Sequence, residues 1–138
     1  MAYTVTVDVL YEGDLECTLT HGPSGDVMKT DAPLDNRGRG LHFSPTDLVG
    51  AGMGSCMLTV MGIVARDRGW DMKGATARVV KEMGAEPRRH IAKLDVDITL
   101  PAALDEKARQ VLERTAYTCP VHASLGELTK VNLTFHYV

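Results

Sequence analysis

The sequence predicts an α+β fold in which largely antiparallel sheet surrounds long buried helices. Two observations carry this. The stretch Ser44–Arg68, SPTDLVGAGMGSCMLTVMGIVARDR, has helix signals at both ends and no polar face, and several other stretches alternate apolar and polar residues at the period of a strand. Their order is strands, long helix, two strands, helix, strand. At 138 residues the chain is expected to form a single domain, 1–138, large enough to bury a core.

Tyr3 to Leu10 alternates, with Tyr3, Val5, Val7 and Val9 on one side and Thr4, Thr6 and Asp8 on the other. Glu12-Gly13-Asp14 turns the chain, and Leu15 to Thr20 returns as a hairpin partner carrying Cys17. Val27 to Thr30 forms a short third strand. The remainder up to Phe43 is broken by Pro33, Gly38 and Gly40 and reads as a loop holding Arg37, Arg39 and His42. An irregular segment of this length in a compact domain tends to be functional.

The long helix follows. Ser44 caps it, Pro45 suits its first position, and Asp47 closes a capping box. Gly69 stops it, with Arg66 and Arg68 in the last turn, where the helix dipole favours cations. A helix apolar all round is expected to be buried on all sides. A membrane span is the alternative by length, but Gly50, Gly52, Gly54 and Gly62 dilute the hydrophobicity. Gly50 and Gly54 also form a GxxxG, which permits close packing onto either another helix or a sheet.

Trp70 to Met83 and His90 to Leu100 read as strands, the second with Leu94, Val96, Ile98 and Leu100 alternating against Asp95, Asp97 and Thr99. Ala102 to Ala116 is an amphipathic helix with Leu104, Ala108, Val111, Leu112 and Thr115 on its apolar stripe and Lys107, Arg109, Glu113 and Arg114 facing water. After TCPVHASLGE, Lys130 to Val138 forms the last strand.

The net charge of −3 and the scarcity of aromatic residues argue against nucleic acid or an anionic membrane as partner. No basic segment followed by an apolar run marks the first residues as a signal peptide. Three cysteines, an odd count outside a secretory context, point to a reducing cytoplasm with thiols that are free or redox-active.

The chemistry centres on Cys56 and Cys119. A thiol reacts as its thiolate, so each needs something to lower its pKa. Cys56 lies 12 residues past the helix cap, roughly 18 Å, beyond the reach of the helix dipole. A cation must therefore come to it from elsewhere, and Arg37 and Arg39 are the nearest supply along the chain. Cys119 precedes Pro120 as a cap precedes a first helical proline, which would aim free N–H groups at its sulfur. His122 is also near in sequence, so half of a metal site or a Cys–His hydrolase centre are alternatives. Neither a second ligand pair nor an orienting acid is identifiable.

The motifs SPTDLVGAGMGSCM and TCPVHASL, in this order and spacing, resemble the central-helix and second-cysteine motifs of the OsmC/Ohr family. The resemblance runs from about Phe43 to the C-terminus. It implies an OsmC-like fold, an intertwined homodimer with two long central helices enclosed by sheets, and active sites at the dimer interface. It further implies a cysteine-based peroxidase: Cys56 as the peroxidatic thiolate that reduces an organic hydroperoxide, Cys119 as the resolving thiol, and a thiol reductant, in the family often a dihydrolipoyl protein. No metal or other cofactor takes part.

Two positions depart from the family's peroxidases. Thr46 stands where they carry an orienting Glu, with Asp47 one residue later. In the N-terminal region where their thiolate-stabilising Arg belongs, this chain has His21 and Lys29, leaving Arg37 and Arg39 as substitutes. The SPxxL and GSC patterns look closer to a less characterised OsmC-like branch. This keeps a second expectation open, a non-catalytic dimer binding a hydrophobic small molecule at its interface, with Gly54 and Met57 beside Cys56 lining the pocket.

Overall fold

The structure, a computed structural model, describes residues 2–138. The chain forms two compact units, one ending at Leu48 and the other running from Val49 to Val138. The first is an antiparallel meander of β1 (Val7–Gly13), β2 (Glu16–His21) and β3 (Val27–Asp31). The alternation from Tyr3 predicts an earlier start, but β1 begins at Val7, where its pairing with His21 of β2 begins. Val7, Val9 and Tyr11 are all more than half exposed in this chain. The loop after β3 contains a 3-10 turn at Leu34–Asn36 and folds back on the strand end. A Cβ on Gly38 would stand 1.6 Å from the Ala32 carbonyl oxygen, so only glycine permits that approach.

Helix α1 (Pro45–Arg68) is built as its sequence signals require. The Asp47 N–H donates to Ser44 Oγ at 3.1 Å and the Ser44 N–H to Asp47 Oδ2 at 2.9 Å, a closed capping box. At the other end Gly69 takes φ 72°, the Gly69 N–H donates to the Arg66 carbonyl and the Trp70 N–H to the Ala65 carbonyl. This is a Schellman closure, which a left-handed glycine makes inexpensive.

In the second unit, β4 (Thr76–Gly84), β5 (His90–Leu100) and β6 (Lys130–Tyr137) form a sheet in the order β4-β5-β6. β4 pairs antiparallel with β5, but β6 runs parallel to it, making the sheet mixed. A parallel pair needs a crossover, and α2 (Glu106–Ala116) with the short α3 (Pro120–Ser124) supplies it. Leu94, Val96, Ile98 and Leu100 join Met53, Met57, Met61, Leu112, Ala116 and Cys119 in one buried cluster.

Three expectations need correction. β4 starts at Thr76 rather than Trp70, after a turn in which the Ala75 N–H donates to the Met72 carbonyl. α2 starts at Glu106 rather than Ala102, because Asp105 caps it by accepting from the Ala108 N–H at 2.8 Å. Its Arg109 and Glu113 do not simply face water: Arg109 donates to the Leu104 and Ala102 carbonyls and lies 4.0 Å from the Tyr137 ring centroid, while Glu113 accepts from the Tyr137 hydroxyl.

A fourth correction concerns α1. It is long and apolar enough to cross a membrane, yet it is not buried all round in this chain. Gly50, Met53, Gly54, Met57, Met61 and Ala65 are buried, a single stripe at helical spacing, whereas Ala51, Ser55, Thr59 and Ile63 are exposed. The GxxxG pair packs onto sheet: Cβ atoms on Gly50 and Gly54 would meet Leu94 and Val79 at 3.0 to 3.5 Å.

Candidate active site

Helical spacing puts Cys56 one turn after Met53 on α1, at the margin of the buried stripe, where its side chain is half-buried. Cys119 arrives from the other side of the core. It follows the end of α2, with its N–H on the Ala116 carbonyl, and caps α3, with Pro120 at the first helical position and the Ala123 N–H returning to the Cys119 carbonyl at 3.1 Å. Cys119 is fully buried, and its thiol donates toward Met53 Sδ at 4.0 Å.

The electrostatics of Cys119 are a contest. Burial pushes its pKa up, and hydrogen bonding with the Cys56 side chain adds to the rise. The N–H groups of His122 and Val121 at the start of α3 pull it down, as the cap-and-proline pattern predicts. The rise prevails, so Cys119 is a thiol at neutral pH. Cys56 thus acts on the Cys119 thiol, and both cysteines are free. One is reachable from solvent and the other is shielded.

His122 addresses Cys119 through its backbone N–H. Among the described residues no group of three or more His, Cys, Asp or Glu is placed to hold a metal. In this chain Gly54 and Met57 are both buried, with Gly54 against Val79 and Ala77 and Met57 in the core cluster.

The remaining candidates belong to the first unit. Thr46 Oγ1 is 3.2 Å from Ser44 Oγ, and Asp47 closes the cap. Arg39 lies 3.5 Å from Glu16 Oε2, and Lys29 lies 2.9 Å from Glu16 Oε1. The Lys29 hydrogen bond holds the Glu16 carboxyl below its ordinary range, with His42 and Arg39 adding to the effect. Arg37 is exposed at the end of the 3-10 turn with φ 68°, and His21 Nδ1 is 2.6 Å from Ser24 Oγ. Cys17 borders a separate cavity of about 230 Å³ together with Tyr11, Thr30 and Asp31.

Sequence reasoning missed two of these features. Met53 reads as core filler, and only its contact with Cys119 distinguishes it from Met57 and Met61. Asp31 is 1% exposed: its Oδ2 accepts from the Leu41 N–H at 3.2 Å, while its Oδ1 has no partner among the described residues. An acid closing a strand just before Ala-Pro is the signal that marks it.

The OsmC-like protein family matches residues 38–134. A solved structure of an osmotic stress induced and detoxification response protein from Psychrobacter arcticus 273-4 is 40% identical, with a TM-score of 0.90 over 99% of this chain and 98% of that one. An organic hydroperoxide resistance protein OsmC from Legionella pneumophila is 18% identical with a TM-score of 0.75, over 99% of this chain and 98% of that one. One from Elizabethkingia anophelis is 16% identical with a TM-score of 0.79, over 100% and 99%. The last two establish likeness of fold. No curated protein matches the sequence.

Proposed function

Because the chain belongs to the OsmC-like protein family, whose solved members include proteins named for organic hydroperoxide resistance, we propose that it is a thiol-dependent organic hydroperoxide reductase. The observation that carries this reading is that Cys56 packs against the buried cluster containing Cys119 and acts on its thiol. The half-buried Cys56 is the one a peroxide reaches, and the shielded Cys119 is the one that answers.

The Cys56 thiolate attacks the distal peroxide oxygen. The O–O bond breaks, the alcohol leaves with a proton, and Cys56 becomes a sulfenic acid. The Cys119 sulfur then attacks Cys56, the S–O bond breaks, and the hydroxide departs as water with the proton that Cys119 carried. Burial keeps that proton on Cys119 until it is needed. An external dithiol, of the dihydrolipoyl class, returns both cysteines to thiols by exchange.

In this reading the chain works as a single OsmC-like domain, residues 1–138, in the cytoplasm and as a homodimer. The exposed α1 stripe Ala51, Ser55, Thr59 and Ile63 supports a second copy covering it. Arg37 and Arg39 remain the proposed cation supply. Sedimentation of the purified chain tests the dimer.

A second reading, a dimer that binds a hydrophobic small molecule without turnover, rests on Thr46 in place of the family's acid and on the use of Asp47 in the helix cap. One experiment divides the two. The reduced protein is mixed with one equivalent of cumene hydroperoxide and its cysteines are mapped by mass spectrometry. A Cys56–Cys119 disulfide within seconds, with Cys17 free, is expected. Cysteines still reduced after many minutes, or a Cys56→Ser variant that still consumes peroxide with a dithiol, would overturn the reductase.

A further inference from the structure

Two sulfurs 66 residues apart in the chain meet in the core: the Cys119 thiol donates to Met53 Sδ at 4.0 Å. Both side chains are fully shielded from solvent, so water does not compete for the S–H. Met53 shares its buried stripe of α1 with Met57 and Met61, and among the described residues it is the methionine that accepts from Cys119. Cys56 follows Met53 by three residues, so the two Cβ atoms are about 5–6 Å apart on neighbouring positions of the helix surface. Cys56 also packs against the buried cluster that holds both Met53 and Cys119. A Cys119 sulfur held on the Met53 thioether is therefore held beside the turn of α1 that carries Cys56. One rotatable bond places a cysteine sulfur, with three staggered positions, and an acceptor reached from one of them favours that one.

We propose that Met53 is a positioning residue for the resolving step, its thioether fixing the Cys119 sulfur against α1 one helical turn from Cys56. In that step the Cys119 sulfur attacks the Cys56 sulfenic acid. The S–S bond forms, the S–O bond breaks, and hydroxide leaves as water with the proton that Cys119 carried. The Met53 sulfur forms no bond and keeps its oxidation state. The inference rests on the reductase reading but concerns its second step alone. Formation of the sulfenic acid does not involve Cys119, and its rate is the internal reference.

The test uses the reduced full-length protein. Met53→Leu keeps volume and apolarity while removing the acceptor. After one equivalent of cumene hydroperoxide, dimedone trapping times the Cys56 sulfenic acid and mass spectrometry times the Cys56–Cys119 disulfide. Met53→Leu is expected to form the sulfenic acid at the native rate and the disulfide about threefold more slowly, as a freed sulfur divides among three rotamers. Met61→Leu, about 12 Å further along α1, should change neither rate. A second readout needs no peroxide. With Cys17→Ser and Cys56→Ser, Cys119 is the remaining thiol, and its infrared S–H stretching band should rise in wavenumber when Met53→Leu is added and stay in place when Met61→Leu is added. Met53→Ile takes the same place if Met53→Leu does not fold. No sulfenic acid in the native protein would overturn the reductase reading and this proposal with it. A normal sulfenic acid resolved at the native rate in Met53→Leu, or an unmoved S–H band, would overturn this proposal alone.

Discussion

Gly54 lets α1 lie directly on Val79 of β4: a Cβ at position 54 would stand 3.0 Å from Val79 Cγ2 and 3.4 Å from Ala77 Cβ. The helix is thereby held against the sheet two residues before Cys56. Gly54→Leu is expected to force helix and sheet apart at a cost of about 2–3 kcal/mol, read as a lower urea midpoint. Combined with Val79→Ala it should recover part of that loss. Additive costs would show that the contact does not limit the approach.

In the proposed mechanism Cys119 consumes a sulfenic acid rather than forming one. Cys119→Ser is therefore expected to leave Cys56 as a long-lived sulfenic acid after one equivalent of hydroperoxide, trappable by dimedone, with turnover lost after the first cycle. Cys17→Ser should turn over at the native rate. A Cys119→Ser protein that keeps cycling would exclude Cys119 as the resolving thiol.

The cap of α1 separates two roles for Asp47. Ser44→Ala removes a side-chain acceptor for the Asp47 N–H and is expected to cost about 1 kcal/mol, seen as a lower Tm. Asp47→Ala should cost a similar amount and leave peroxide turnover per folded molecule unchanged. A fall in turnover beyond the folded fraction would instead give Asp47 the part of the family's missing acid.

Tyr137 bears on alkaline stability. Burial, and then the hydrogen bond to Glu113, push its hydroxyl well above its ordinary value near 10. The native state holds this proton more tightly than the unfolded chain does. Its contribution is therefore complete below about pH 10 and is lost as pH rises above that value. Tyr137→Phe is expected to be less stable than the native protein by about 1 kcal/mol at pH 7. The gap should narrow in denaturant titrations carried above pH 10.

Much of this protein is local and was legible in its sequence. The capping box at Ser44 and the glycine closure at Gly69 are satisfied by residues within a few positions of each other, and β5 runs from His90 to Leu100 as its alternation requires. Cys119-Pro120 builds its own helix start for the same reason. The two-cysteine pattern carried the family as well, because motif order and spacing are properties of the chain.

Tertiary structure decided the rest. The parallel pairing of β6 with β5, the turning of Arg109 and Glu113 toward Tyr137, and the split of α1 into one buried stripe and one exposed stripe all depend on what packs where. A helix without a polar face does not announce which side meets the sheet; the glycine at 54 favours one side, since a Cβ there would crowd Val79. The contact of Cys119 with Met53 is of the same kind. Residues far apart along a chain become neighbours through the burial of apolar surface, a non-directional force whose outcome no local pattern records.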